Sequence, residues 1–215
     1  MTITSVQQQW QRIEIWFKQH EPAFLTNLGQ GASDVAIKQL EAAIGLSLPE
    51  DYKAFLAIHD GEGSLRCDPG SLEEDDDLDE DAPLVCGIMP FHGDLLPTEE
   101  IVAYRNQLIV CVEDLDDDQT LQKLSAQCPE VQPIFYDERW IPIAADPGHN
   151  EVFIDLNPTP KGKAGQIFID YKEPLYREVL ADSFAALLKK YADGLEQGLY
   201  EVVKEDDILS VVERS

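Results

Sequence analysis

The stretch "LSLPEDYKAFLAIHDGEGS", residues 46–64, decides how the chain is read. Pro49 suits the first position of a helix, where its missing N–H costs nothing. Glu50 and Asp51 put negative charge at the positive end of the helix dipole. Tyr52, Phe55, Leu56 and His59 then share one face. Asp60-Gly61 turns the chain, and Gly63 keeps it loose. A helix that opens on proline and closes on His-Asp-Gly is a short element packed by one face. His59 reads as an imidazole at the core edge, favoured by the helix C-terminus, and not as a catalytic base.

The same periodicity extends N-terminally. Val6, Trp10, Ile13 and Phe17 mark a helix over 4–19, ended by Pro22 and Gly29. Ser33 is placed to cap a second helix carrying Val35, Ile37, Leu40 and Ile44, with Gly45 as its stop. C-terminally, "DPGSLEEDDDLDED" (68–81) carries nine carboxylates and no base. Charge at this density repels itself, so the segment reads as an acidic loop inserted at about 67–82. "PLVCGIMPF" resumes with β character. Thr98 is placed to cap a helix bearing Ile101, Tyr104, Leu108 and Val112, and a short helix is expected around Leu121 and Leu124. From Arg139 the pattern becomes strands: "RWIPIAA", "EVFIDL" and "GQIFIDY", separated by "DPGHN" and "NPTPKGKAG". Asp182 or Ser183 caps a last helix whose buried face is Phe184, Leu187, Leu188, Tyr191 and Leu195. The tail 201–215 reads as a short extension adding a strand or a helix. The expected fold class is α+β, a mixed, mainly antiparallel sheet with helices packed around it, in a single domain over 1–215.

Composition narrows the function. Over 215 residues, 42 acidic side chains face 16 basic ones, for a net charge of −26. Such a field repels nucleic acid and anionic membranes and speeds encounter with cationic partners. The opening "MTITSVQQQW" lacks the basic and apolar regions of a secretory signal, and no apolar run approaches the length of a membrane span. Cys67, Cys86, Cys111 and Cys128 form no CxxC pair, so they read as reduced thiols of a cytoplasmic protein and not as a zinc site. Calcium ligation also fails. An EF-hand register on Asp75, Asp77 and Asp79 puts Glu80 at the required glycine and Cys86 at the bidentate glutamate. A register on Asp114, Asp116 and Asp118 puts Gln119 and Ser125 there. GxSxG, HExxH and P-loop signatures are missing. Neither a cofactor nor catalysis is expected. Trp10, Trp16 and Trp140 read as core residues.

Several segments together resemble the SUKH superfamily, the SMI/KNR-type cell-wall-regulator family. An early helix carries Trp10, Ile13 and Trp16. In "GASDVAIKQLEAAIGLSLPEDYKAFLAIHDGEG" the matching residues are Ile37, Leu40, Glu41, Gly45, Leu48, Pro49, Tyr52, Phe55, His59, Asp60 and Gly61. In "RWIPIAADPGHNEVFIDLNP" they are Trp140, Ile141, Pro142, Ile143, Asp146, Asn150, Asp155 and Leu156. "KGKAGQIFI" and "LADSFAALLKKYADGLEQGLY" are similar to the closing strand and helix. The resemblance implies a binding protein with no shared catalytic residues or cofactor. Its bacterial members are regarded as immunity proteins that neutralise toxins, many of them nucleases. Its fungal members look like scaffolds in cell-wall and signalling pathways.

The expectation that follows is a protein that neutralises a cognate, basic toxin by direct contact, with a scaffold or regulator of several cellular partners as the alternative. Candidate partner-binding residues are Glu73, Glu74, Asp75, Asp76, Asp77, Asp79, Glu80 and Asp81 of the acid run, whose carboxylates steer a cationic surface. Asp146, His149 and Asn150 of "DPGHN" join them as polar groups at a strand end. Asp, Gly and Asn also favour turns for their own sake, so a purely structural role stands beside this one.

Overall fold

A computed structural model describes residues 3–63, 84–90, 93–112, 117–146, 150–172, 174–205 and 208–214. The proposed acidic insertion therefore lies outside the described residues. The elements in order are α1 (Ile3–His20), α2 (Ala23–Thr26), α3 (Asp34–Ile44), α4 (Glu50–Leu56), β1 (Leu84–Cys86), β2 (Asp94–Leu95), α5 (Thr98–Val112), α6 (Asp118–Gln127), β3 (Trp140–Ala145), β4 (Glu151–Asp155), β5 (Gln166–Lys172), β6 (Leu175–Ala181), α7 (Phe184–Glu196), β7 (Tyr200–Glu205) and β8 (Ile208–Glu213). The fold is α+β, with two sheets. One is five-stranded and antiparallel throughout, in the order β2-β3-β4-β5-β6. The other is β1-β8-β7, with β1 parallel to β8.

The central strands alternate between two apolar faces. Ile141, Ile143, Val152, Ile154, Ile167 and Ile169 join the main core with α1, α4 and α7. Trp140, Phe153 and Phe168 point the other way, into a second core with Cys128 and Val131. Alternation between two buried faces gives a strand sequence that reads as one apolar run. Val6, Trp10, Ile13 and Phe17 of α1 are fully buried. Arg12 joins α1 to α7 through Asp193 at 2.8 Å and Glu196 at 2.5 Å. A partly exposed pair of this kind contributes about 0–1 kcal/mol. Each large buried side chain contributes about 1.5–3 kcal/mol, so packing and not charge holds α1 in place.

Helix ends follow the sequence closely. Ser33 Oγ accepts from Ala36 N, and Gly45 closes α3 at φ 70°. Ser183 Oγ accepts from Ala186 N at the start of α7. Pro49 sits one residue earlier than expected, as the extended cap residue before α4 (ψ 142°). Pro22 does not merely end α1; it leads into α2. The segment around Leu121 and Leu124 is a full helix because Asp117 Oδ1 accepts from both Gln119 N and Thr120 N. Strand β6 was not anticipated, because "LYREVLA" mixes charge with apolar residues and lies at a sheet edge. The tail forms the β7–β8 hairpin, whose Tyr200, Leu209 and Val211 enter the main core. Cys86 is disulfide-bonded, whereas Cys111 and Cys128 are free thiols. This corrects the expectation of four reduced thiols, since cysteines distant in sequence still meet where folding brings their backbones together.

The His-Asp-Gly turn is a junction. Asp60 N donates to Gln30 O (3.1 Å), Gly29 N to Gly61 O (2.9 Å) and Glu62 N to Leu95 O (2.9 Å). The Asp60 carboxylate accepts from Thr98 N and Thr98 Oγ1 at 2.7 and 2.8 Å. It thereby caps α5 from 38 residues away, a role expected of Thr98 itself. The buried Glu62 carboxylate accepts from Ile88 N and Leu95 N, both at 2.9 Å.

Gly61 has φ 71°, and a Cβ there would lie 2.4 Å from Pro97 N. Gly45 has φ 70° with nothing within 4 Å. Gly45→Ala is expected to cost about 1 kcal/mol in urea unfolding, from backbone conformation alone. Gly61→Ala adds a backbone collision and is expected to cost about 3 kcal/mol or more. Equal losses in the two variants would refute the junction.

Candidate functional site

The expected site residues divide. Glu73, Glu74, Asp75, Asp76, Asp77, Asp79, Glu80, Asp81 and His149 lie outside the described residues. Asp146 and Asn150 face each other across the β3–β4 turn. Asp146 Oδ1 accepts from Asn150 N at 2.9 Å, and Oδ2 from Asn150 Nδ2 at 2.6 Å. Asn150 Oδ1 accepts from Lys172 N at 3.0 Å, which ties the turn to β5. Both side chains are thus engaged in shaping the turn. Trp140 is fully buried between Phe153 and Phe168. Asp155, also fully buried, accepts from Asn157 N and Gln166 Nε2. His59 Nδ1 lies 2.9 Å from the Gly29 carbonyl, an acceptor only, so Nδ1 carries the proton and donates. Its Nε2 faces Glu14 at 3.4 Å, and its ring packs edgewise on Trp10. This is the core-edge role expected of it.

One cavity among the described residues was not anticipated. A cavity of about 490 Å³ opens between α5 and the end of the five-stranded sheet. Its floor is a row of charge set by strand register. Glu151 of β4 pairs with Asp170 of β5, and Asp170 pairs with Arg177 of β6. Lys172 stands two residues along β5, on the same face as Asp170. Tyr104, Leu108 and Cys111 of α5 line the cavity as well, together with Phe135 and Leu175.

Two carboxylates in directly opposed positions repel, so the row is stable only with cations beside it. Lys172 Nζ lies 2.7 Å from Glu151 Oε2 and 3.1 Å from Asp170 Oδ2. Arg177 Nη2 lies 3.1 Å from Asp170 Oδ2. Arg177 also donates through Nη1 to Ile134 O (2.8 Å) and Gln132 O (3.2 Å), and through Nη2 to Phe135 O (3.2 Å). Its guanidinium carbon stands 5.0 Å from the Trp140 ring centroid. Arg177 therefore fastens the segment 132–135 to the sheet, in a geometry a lysine would not reproduce. Burial pushes the Glu151 carboxyl up to about 7, although Lys172 pulls it down; Asp170 adds to the rise. Burial lowers the Lys172 ammonium, but Asp170 and Glu151 outweigh it and raise it above the ordinary lysine value. A lysine held protonated in this way is no nucleophile. Burial likewise raises Tyr104, whose hydroxyl lies 3.4 Å from Glu151 Oε1. Among the described residues, no group of three or more His, Cys, Asp or Glu could hold a metal ion. The sequence did carry a signal: charged residues at the ends of otherwise apolar strands, "EVFID" and "QIFIDYK".

Because the folded state holds a proton on Glu151 more readily than the unfolded chain does, this carboxyl destabilises the fold increasingly as pH rises from about 4.5 to about 7. Glu151→Gln mimics the protonated form. Urea unfolding between pH 4.5 and 8 is expected to show the variant gaining on the parent chain by on the order of 2 kcal/mol as pH rises. A pH-independent difference would rule out a buried carboxyl titrating in this window.

The sequence model of the SMI1 / KNR4 family (SUKH-1) matches residues 31–190. Among curated proteins, the chain is 25% identical over 214 residues to the cell wall biosynthesis/cell cycle regulator smi1 of Schizosaccharomyces pombe, covering 96% of this chain and 39% of that protein. It is 24% identical to the cell wall assembly regulator SMI1 of Saccharomyces cerevisiae, covering 92% of this chain and 42% of that one. It is 25% identical to the glucan synthesis regulatory protein of Neurospora crassa, covering 95% and 41%. The chain thus spans about two-fifths of the length of these relatives. They are named as regulators and not as enzymes. No helix among the described residues is long and apolar enough to cross a membrane. With the family match over most of its length, and with the helices and sheets in place, the chain belongs to the SMI1/KNR4 family (SUKH-1).

Proposed function

We propose that the chain is a non-enzymatic protein-binding module of the cell-wall-regulator kind, acting as a single domain with several protein partners. The observation that carries this reading is the match, along almost the whole chain, to proteins named as regulators of cell wall assembly and glucan synthesis. It replaces toxin neutralisation as the leading reading, since none of these relatives is named for that role. The charge of −26 suits partners with cationic surfaces, whose encounter it accelerates at low ionic strength. In this reading the acid run Glu73–Asp81 supplies steering, and affinity comes from a buried apolar centre elsewhere.

Affinity capture with the tagged chain from its native host, quantified by mass spectrometry at two salt concentrations, tests the proposal. The expected result is several substoichiometric partners from cell-wall or signalling pathways, with recovery falling as salt rises. A single stoichiometric, basic, toxin-like partner would overturn the regulator reading and reinstate neutralisation. Salt-independent recovery would remove the steering role of the acid run.

A further inference from the structure

The cavity beside α5 segregates its chemistry. Charge is confined to the sheet floor, while Leu108, Phe135 and Leu175 line the remaining wall from three separate parts of the chain. The charges are not equally reachable. The side chains of Glu151 and Asp170 are 3% and 2% exposed, whereas that of Lys172 is 34% exposed. Glu151 Oε2 and Asp170 Oδ1 are closed off from solvent altogether. Lys172 stands over Glu151 Oε2 and Asp170 Oδ2, and Asp170 Oδ1, which has no hydrogen-bond partner, is closed off from solvent, so a cationic ligand meets the ammonium before it reaches a carboxylate. An anionic ligand meets the ammonium directly. That ammonium has three N–H donors, and two directions are taken by Glu151 and Asp170.

We propose that this cavity is a binding site for a small amphipathic carboxylate, a single-chain fatty-acid-like anion whose head pairs with Lys172 and whose chain lies along Leu108, Phe135 and Leu175. The volume of about 490 Å³ lies within the range of small-molecule sites, which combine mostly apolar walls with a few placed polar groups. The net charge of −26 does not oppose the head group decisively. Exposed charges farther away than about 8 Å are screened at physiological ionic strength, while the contact with Lys172 is direct. Glu151 adds to the attraction: with its carboxyl pushed up to about 7, it is partly neutral near pH 7 and leaves the floor with excess positive charge. This site is separate from the recruitment of protein partners and would give the regulator a small-molecule input.

The test uses the full chain and three probes with chains of ten carbons, each below its micellar or solubility limit: decanoate, decan-1-ol and decyltrimethylammonium. Calorimetry is expected to show decanoate binding roughly tenfold or more tighter than the cationic probe, and Lys172→Met is expected to abolish that preference. Because Lys172→Met exposes buried carboxylates and can unfold the chain, Cys111→Trp serves as the second variant. Cys111 is an exposed residue at the cavity wall; tryptophan there narrows the entrance without touching the floor, and decanoate binding is expected to fall while the far-ultraviolet circular dichroism is retained. Equal binding of the three probes would overturn the proposal as adsorption of amphiphiles. Decanoate binding unchanged in a folded Cys111→Trp variant would also overturn it. So would displacement of decanoate, at lower concentration, by an apolar tripeptide with a free C-terminal carboxylate, which would make the cavity a site for protein ends.

Discussion

A sheet that is apolar on both faces has to be covered twice, and the rest of this structure follows from that requirement. Strands β3, β4 and β5 place isoleucines and valine on one face and Trp140, Phe153 and Phe168 on the other. Helices α1, α4 and α7 cover the first face. The second, which Val179 of β6 shares, is closed by Leu108 of α5 and by the segment from Cys128 to Tyr136. Any charged residue in these strands is removed from water by the same cover, so it needs a partner in the sheet. Register supplies one: Glu151, Asp170 and Arg177 lie abreast on three neighbouring strands, and Lys172 bridges the two acids. The cavity exists because the apolar cover ends where this charged row begins.

The junction at Asp60, Gly61 and Glu62 meets a second constraint. Helices α3 and α4 must be joined to a sheet whose strands come much later in the chain. Three consecutive residues make the connection through backbone bonds to the loop before α3 and to β2, and through two carboxylates that take up free N–H groups. A carboxylate accepting two backbone N–H bonds is a charge-assisted acceptor, stronger than a neutral one. The acidity of this protein is therefore of two kinds. Part is exposed; part is buried and joins one segment to another.

Much of the fold was legible because local rules agree. The caps at Ser33 and Ser183, the stop at Gly45, the face of α1 and the three central strands all follow from neighbours within a few residues. Strand β6 was not legible, since an edge strand carrying Arg177 and Glu178 lacks an apolar run. The cap on α5 was assigned to Thr98, because nothing local reveals that Asp60 folds back to it. The disulfide at Cys86 escaped for the same reason. Of the candidate site, Asp146 and Asn150 came together, but to shape a turn that is tied to Lys172 of β5.

By itself the sequence determined the α+β class, the helix faces and the strong negative field, because each depends on residue type and short spacing; the family came from the resemblance of whole motifs in order. Only the tertiary structure decided that there are two sheets, that the tail hairpin enters the core beside β1, and that Glu151, Asp170, Lys172 and Arg177 form one floor. Strand register and the docking of α5 set those distances, and both are fixed by burial between segments far apart in the chain, which no local pattern encodes.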